Sequence, residues 1–520
     1  MVFLRHQVLF LLLLLCAVAG YLCQLKYVGF PITAFEWPSM DMAPFFERLA
    51  NSTYLKGDFI VDSMAARNPR WVFGYQVVAL MKLFGLDWHQ GFSLMKSLMI
   101  VGIPGFMALF FLSQYENLSG KKPNLKVAVF AVAMVVFTLF TRSLQYRIMI
   151  GDYLQYELKA TPHSLATFWG LMGAIGLSWR QKWAWPAMFL SAFTHPAVGF
   201  IFFCFNFIFN IQSRSFSSLL KTFAFGVGLP FAVTWWLFSS HQPLDLQSFI
   251  DIYIRTRLPH HYEVASWSLS SLVTHMAYFV LFLSGVIFYF REKNKKVMVV
   301  AGFLLFYYVS AIVGQYIFIE WLPFRPVVLL GPVRVVAFSF LFCGPLLLLL
   351  VSDRLKWDGK PVSATKMSWG VSLASMALTT FVVYQLSEKN PLPRLQAKAP
   401  ELYQWVKNST PPEAVFVGPI DSIMNEFPMV VGRSVYISQI FPFREEFYPE
   451  YVRRWNVFYG ESRYDRNLHL QNISVEKWKE IARQGKVNFV VIPKKWNTPL
   501  NSVVADFENS RWRVVNLSKL

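Results

Sequence analysis

A chain of 520 residues that is 55% hydrophobic and 18% aromatic is too apolar to be built from soluble cores alone, because soluble chains hold about 45–50% apolar residues. The apolar residues run together in stretches such as Val8–Leu22, Val127–Phe140 and Val335–Val351, and about 20 such residues match the hydrocarbon thickness of a bilayer. The net charge of +19 first suggests a nucleic-acid partner, but its distribution along the chain removes the need for one.

Eleven segments are expected to span: residues 7–24, 92–114, 126–141, 162–178, 183–195, 197–211, 222–239, 272–290, 297–319, 327–351 and 368–386. The first follows Arg5 and contains Ala17-Val18-Ala19, a pattern partly like a secretory signal. Its apolar stretch reaches Leu25 and is long enough to cross, so an uncleaved helix is expected. The run 183–211 is broken here at Thr194-His195-Pro196. A single tilted helix there would put every later basic loop on the opposite side.

The charge census follows from that break. Six short alternate segments carry Arg5; Lys121, Lys122 and Lys126; Arg180 and Lys182; Arg214 and Lys221; Arg291, Lys293, Lys295 and Lys296; and Arg354, Lys356, Lys360 and Lys366. They hold only Glu116, Glu292, Asp353 and Asp358 as acids, while the intervening short loops are close to neutral. Basic residues collect in the short cytoplasmic loops of membrane proteins. The N-terminus is therefore expected in the cytoplasm, and the chain after Leu386 outside.

Outside the membrane lie the first loop (25–91), residues 142–161 and 240–271, and Glu320–Pro326. Within the first loop the amphipathic stretch Trp71–Leu86 is expected to lie along the interface. The tail opens with a linker, Lys389-Asn-Pro-Leu-Pro, whose prolines discourage a continuing helix. Helices are predicted at Pro400–Asn408 and Ser474–Gln484, and strands at Ala414–Gly418, Ser434–Ser438 and Val487–Ile492. The predicted class is a polytopic α-helical membrane protein, with a transmembrane domain at 1–386 and a small extracytoplasmic α/β domain at 387–520. Cys16, Cys23, Cys204 and Cys343 all fall in hydrophobic segments, so neither a disulfide in the tail nor a metal-ligand spacing is expected.

Candidate chemistry sits on the outside segments. In Phe35-Glu36-Trp37-Pro38-Ser39-Met40-Asp41, Asp41 either caps a helix Met42–Leu49 or acts as a base or metal ligand. Asp152 and Glu157, beside Arg147 and Lys159, complete an acidic site or form solvated ion pairs. Arg255-Thr-Arg257-Leu-Pro259-His260-His261-Tyr262 reads as a phosphate- or sugar-binding cluster, since arginine forks onto phosphate oxygens, or as interfacial anchoring. Arg325 can snorkel to the surface. Arg334, deeper in its span, is expected to face a partner, because a buried arginine there costs a few kcal/mol. Pro162-His163 and His195-Pro196 at outer helix ends either bond a sugar or are wet termini. The tail has no GxSxG, HExxH, P-loop or CxxC.

This plan resembles the GT-C superfamily of integral membrane glycosyltransferases that use polyprenyl-phosphate-linked sugars. The resemblance is carried by the acidic first outside loop (Glu36, Asp41), its amphipathic segment and about eleven spans. It is carried also by a tail that opens Leu402-Tyr-Gln-Trp-Val-Lys-Asn-Ser-Thr-Pro-Pro-Glu-Ala-Val-Phe-Val. It implies that Asp41, with Glu36 second, is the base or metal ligand, and that Mg²⁺ or Mn²⁺ is a candidate cofactor. Arg257, His260, His261, Arg325, Arg334, His163 and His195 are then candidates for holding the lipid phosphate or sugar. The acids depart from the family pattern in being five apart, and the tail lacks the Trp-Trp-Asp-type motif of oligosaccharyltransferases, with Gly418-Pro-Ile-Asp421 at best a remnant. The implied function is sugar transfer to an envelope polysaccharide, glycolipid or protein acceptor at the outer face of a bacterial inner membrane. The alternative is a non-catalytic relative, or a transport or assembly component of polysaccharide export.

Overall fold

The computed structural model describes residues 2–28, 39–140, 160–210, 216–238, 243–257, 262–357, 366–387, 396–420, 423–460 and 466–520. Helices run in order as α1 (Val2–Val28), α2 (Ser39–Ala50), α3 (Phe59–Ala65), α4 (Trp71–Phe84), α5 (Trp88–Ser119), α6 (Leu125–Phe140), α7 (Pro162–Ser178), α8 (Ala184–Thr194) and α9 (Pro196–Asn210). Next come α10 (Phe216–Phe238, with a π-helical stretch at Ala224–Gly228), α11 (Leu246–Phe249, continued by the π-helical Ile250–Arg257), α12 (Leu269–Phe290) and α13 (Lys295–Tyr316). Then follow α14 (Arg325–Leu330), a 3₁₀ segment Pro332–Phe338, α15 (Ser339–Arg354) and α16 (Lys366–Leu386). Each of the eleven predicted spans coincides with a helix or, for 327–351, with the broken series α14 to α15.

The chain is a multi-pass helical membrane protein. Among the described residues, four helices are long and apolar enough to cross a bilayer: Trp88–Ser119, Phe216–Phe238, Leu272–Phe290 and Lys295–Trp321. A fifth is added if Arg325–Val336 and Ser339–Arg354, bent by 42°, make one span. Shorter apolar helices include Leu11–Lys26, Leu125–Phe140 and Pro196–Asn210.

The chain divides into two compact units, the first formed by the described residues of 1–32, 92–240 and 245–387. In this unit α5 is buried along its apolar length, whereas α10 and α12 leave most of theirs uncovered, as helices facing lipid do. The predicted break at His195 is a reversal of direction. His195 is extended (φ −150°, ψ 100°), and a Cβ on Gly199 would lie 2.1 Å from the Ala192 Cα, so α9 folds straight back along α8. At the tip Ser191 donates to the Ala166 carbonyl at 2.7 Å. At the open end Asn117 donates to the Phe209 carbonyl (3.1 Å), and the Trp179 indole to Glu116 (3.2 Å). With 11 and 15 residues, the two helices are about 17 and 23 Å long. The open ends at Ala184 and Asn210 share one side, which keeps the flanking basic segments together.

The second unit joins the described residues of 33–91, 241–244 and 388–520. Its sheet has the order β2-β1-β3-β5-β4, with β1 (Val415–Val417), β2 (Ser434–Val435), β3 (Phe489–Pro493), β4 (Phe507–Glu508) and β5 (Trp512–Asn516). β1 pairs in parallel with β2 and β3, and β5 is antiparallel to β3 and β4. Helix α17 (Pro400–Ser409) lays Leu402, Tyr403 and Val406 on Phe416, Val491 and Val514. The β4–β5 hairpin was not expected from the sequence. Its strands are short, and its turn rests on the Asn509 side chain, which accepts from the Arg511 and Trp512 amides.

Candidate functional site

In the first unit the sequence builds an arginine holder at the broken span. Gly331 adopts φ +56° and ends α14 with its amide on the Val327 carbonyl, a conformation that suits glycine. Pro332 then starts the 3₁₀ segment that carries Arg334. A Cβ on Gly331 would meet the Tyr262 Cε1 at 3.0 Å and the Arg334 Nε at 3.2 Å, so the bare backbone admits both side chains.

Arg334 is half-buried, its guanidinium 5.2 Å from the Tyr262 ring centroid, and its Nη2 donates to the Tyr262 hydroxyl. Beneath it Gln315, fully buried, donates to the Tyr262 carbonyl at 3.0 Å and accepts from the Val333 amide at 3.4 Å. Arg325 lies 5.4 Å from the Phe249 ring. That ring stacks on Tyr253 at 5.3 Å, and Tyr253 lies 6.0 Å from Tyr262. A run of aromatic rings thus connects the two arginines. Either guanidinium can hold an anion by charge-assisted hydrogen bonds.

The structure also brings His163 and His195 together, with ring centroids 4.0 Å apart. His163 stands in the first turn of α7 behind the Thr161 cap, and His195 Nδ1 accepts from the Val198 amide at 3.4 Å. Arg255 is paired with Asp251 (2.9 Å) and Glu263 (3.5 Å), an ordinary exposed network. Arg257 ends the π-helical stretch, and its side chain lies outside the described residues, as do His260, His261, Asp152 and Glu157.

In the second unit Asp41 falls in the first turn of α2, which starts at Ser39. The expected cap at Asp41 is therefore corrected: the helix begins two residues earlier. Its side chain lies outside the described residues, as do Glu36 and Asp421. An acid that the sequence reading missed is Asp58. It is fully buried, caps α3 by accepting from the Val61 amide (2.8 Å), and accepts from the Val435 amide of β2 at 3.0 Å. Burial pushes its carboxyl up to about 6, against the pull of those two amides. Asp58 before Phe59-Ile60-Val61 is a helix-start pattern that could have flagged it.

Asp58 is one of several ties between the first loop, within residues 25–91, and the tail. Tyr54 donates to the Pro428 carbonyl at 2.6 Å, and Phe45 meets Phe443 edge-on at 5.3 Å. The Arg454 guanidinium lies 4.1 Å from the Phe59 ring and 4.5 Å from Tyr436. Arg453 and Arg454 hold the Glu450 carboxyl down at about 2. Both Asp58 oxygens are engaged by backbone amides, so its role is to hold the loop.

Among the described residues no group of three or more His, Cys, Asp or Glu could hold a metal ion. The cation expectation rests on Asp41 and Glu36, whose side chains lie outside the described residues.

Neither a family model nor a curated protein matches the chain. Solved structures do. The oligosaccharyltransferase of Archaeoglobus fulgidus, tethered with an acceptor peptide, is 12% identical over 92% of this chain and 69% of that one, with a TM-score of 0.41. The oligosaccharyltransferase AglB from Archaeoglobus fulgidus, in complex with an inhibitory peptide and a dolichol-phosphate, gives 11%, the same coverage and 0.27. ArnT from Cupriavidus metallidurans, bound to undecaprenyl phosphate, gives 12% over 98% of this chain and 97% of that one, with 0.30. These proteins belong to the superfamily that the sequence resembles. At these TM-scores the overlap assigns no role to any residue.

Proposed function

We propose that the protein is an integral membrane glycosyltransferase taking a sugar from a polyprenyl-phosphate donor to an envelope polysaccharide, glycolipid or protein acceptor, at the outer face of a bacterial inner membrane. The observation that carries the reading is Arg334, a cation on an otherwise apolar segment that is held half-buried against Tyr262. An ionisable residue on such a segment marks a functional site by default, and a lipid phosphate is a group that arginine's planar fork fits. The acidic first outside loop supports the same reading from the sequence side.

The acceptor hydroxyl oxygen attacks the anomeric carbon. The bond from that carbon to the phosphate oxygen breaks, and its electron pair leaves with the polyprenyl phosphate. Asp41 takes the hydroxyl proton, with Glu36 as the second candidate. Arg334 and Arg325, with Arg257, hold the leaving phosphate, where positioned cations stabilise the charge that develops. His163 and His195, with His260 and His261, bond the sugar hydroxyls.

Purified protein in nanodiscs, given labelled polyprenyl-phosphate sugars and envelope acceptors, is expected to release polyprenyl phosphate and label an acceptor. Asp41→Asn is expected to lose that transfer by about 100-fold or more. Transfer by Asp41→Asn at the parental rate removes Asp41 from the mechanism.

A further inference from the structure

We propose that Tyr262 and Gln315 are positioning residues that set the plane in which Arg334 presents its guanidinium to the lipid phosphate. The inference rests on the reading of Arg334 as the phosphate holder. An arginine side chain carries about 2 kcal/mol of rotamer entropy, and its planar fork rewards a fixed orientation. Holding one edge of that plane fixes the direction of the rest.

Tyr262 does this from two sides: its hydroxyl accepts from Nη2, and its ring lies 5.2 Å from the guanidinium carbon. Tyr262 would drift with its loop if it were not itself held. Gln315 holds it, reaching from the end of α13 to the Tyr262 carbonyl at 3.0 Å. Its other amide atom accepts from the Val333 amide, next to Arg334, at 3.4 Å. One fully buried amide therefore couples the residue that orients to the segment that is oriented. The bare Gly331 lets the two side chains meet there.

The test uses the full chain in nanodiscs and compares affinities for undecaprenyl phosphate and for undecaprenol, which has the same tail without the charge. The parental protein is expected to prefer the phosphorylated lipid. Tyr262→Phe keeps the ring and loses the hydroxyl; it is expected to cut that preference by about tenfold, with undecaprenol binding and thermal unfolding unchanged. Combined with Arg334→Ala, it should add nothing further to the loss that Arg334→Ala causes alone. Gln315→Glu keeps the acceptor and loses the donor, and is expected to cut the preference in the same way.

If Arg334→Ala abolishes the preference while Tyr262→Phe and Gln315→Glu leave it intact, the positioning role is overturned and the phosphate-holding role stands. A Tyr262→Phe loss that extends equally to undecaprenol, with lowered unfolding temperature, also overturns it in favour of a purely structural residue. If the parental protein does not distinguish the two lipids, the reading of Arg334 itself falls.

Discussion

Asp58 is expected to make the junction between the first loop and the tail sensitive to pH. Its carboxyl, ordinarily near 3.8, is raised to about 6 by burial. The folded state then binds the proton more tightly than the unfolded state, so the protonated form favours folding. Stability is greatest below the unfolded value and is lost as pH rises through about 6. The full loss is about 3 kcal/mol, of which about half, or tenfold in the folding equilibrium, falls between pH 5 and pH 7. Asp58→Asn removes the titration, keeps an oxygen for the Val61 amide and turns a donor toward Val435. It should cost about 1–3 kcal/mol for that lost bond while abolishing the pH slope. Hydrogen exchange of the full chain, corrected for the intrinsic rate, reads both segments that Asp58 joins, 59–65 and 434–437. Their protection is expected to fall together about tenfold from pH 5 to pH 7 in the parental protein and to stay level in Asp58→Asn. An equal slope in both proteins, or protection that rises with pH in the parental protein alone, refutes the reasoning.

Three further outcomes are expected. Gly331→Ala forces a side chain into φ +56° and against Tyr262 at 3.0 Å, so it should cost about 1–2 kcal/mol and weaken undecaprenyl phosphate binding measured by titration. Arg454→Ala removes contacts to two rings, worth about 0.5–1 kcal/mol each, and should speed proteolytic cleavage within 39–91. In intact cells a membrane-impermeant maleimide should label Lys407→Cys and spare Lys182→Cys and Lys221→Cys. Labelling of Lys221→Cys without Lys182→Cys would undo the hairpin at His195.

The apolar helices were legible because long apolar runs are local signals. The reversal at His195 was legible through the charge rule, since proline after an extended histidine only marks a break, whereas the loop charges require the chain to turn back. β4 and β5 were not, because their pairing depends on a turn held by the Asn509 side chain rather than on an apolar pattern. The arginine holder was half legible. Arg334 stood out as a charge in an apolar run, but its partner Tyr262 lies 72 residues away, beyond any periodicity. Gln315 reads as one polar residue in a helix, and only the two backbone groups that it joins reveal its use. Asp58 illustrates the opposite case: its local cap was readable, and its long-range bond to Val435 was not.

The most direct test of the proposed activity is a cryo-EM structure of the protein with undecaprenyl phosphate bound in a nanodisc. The phosphate is expected within hydrogen-bonding distance, about 3 Å, of the Arg334 guanidinium. A phosphate bound away from Arg334 would contradict the transferase reading.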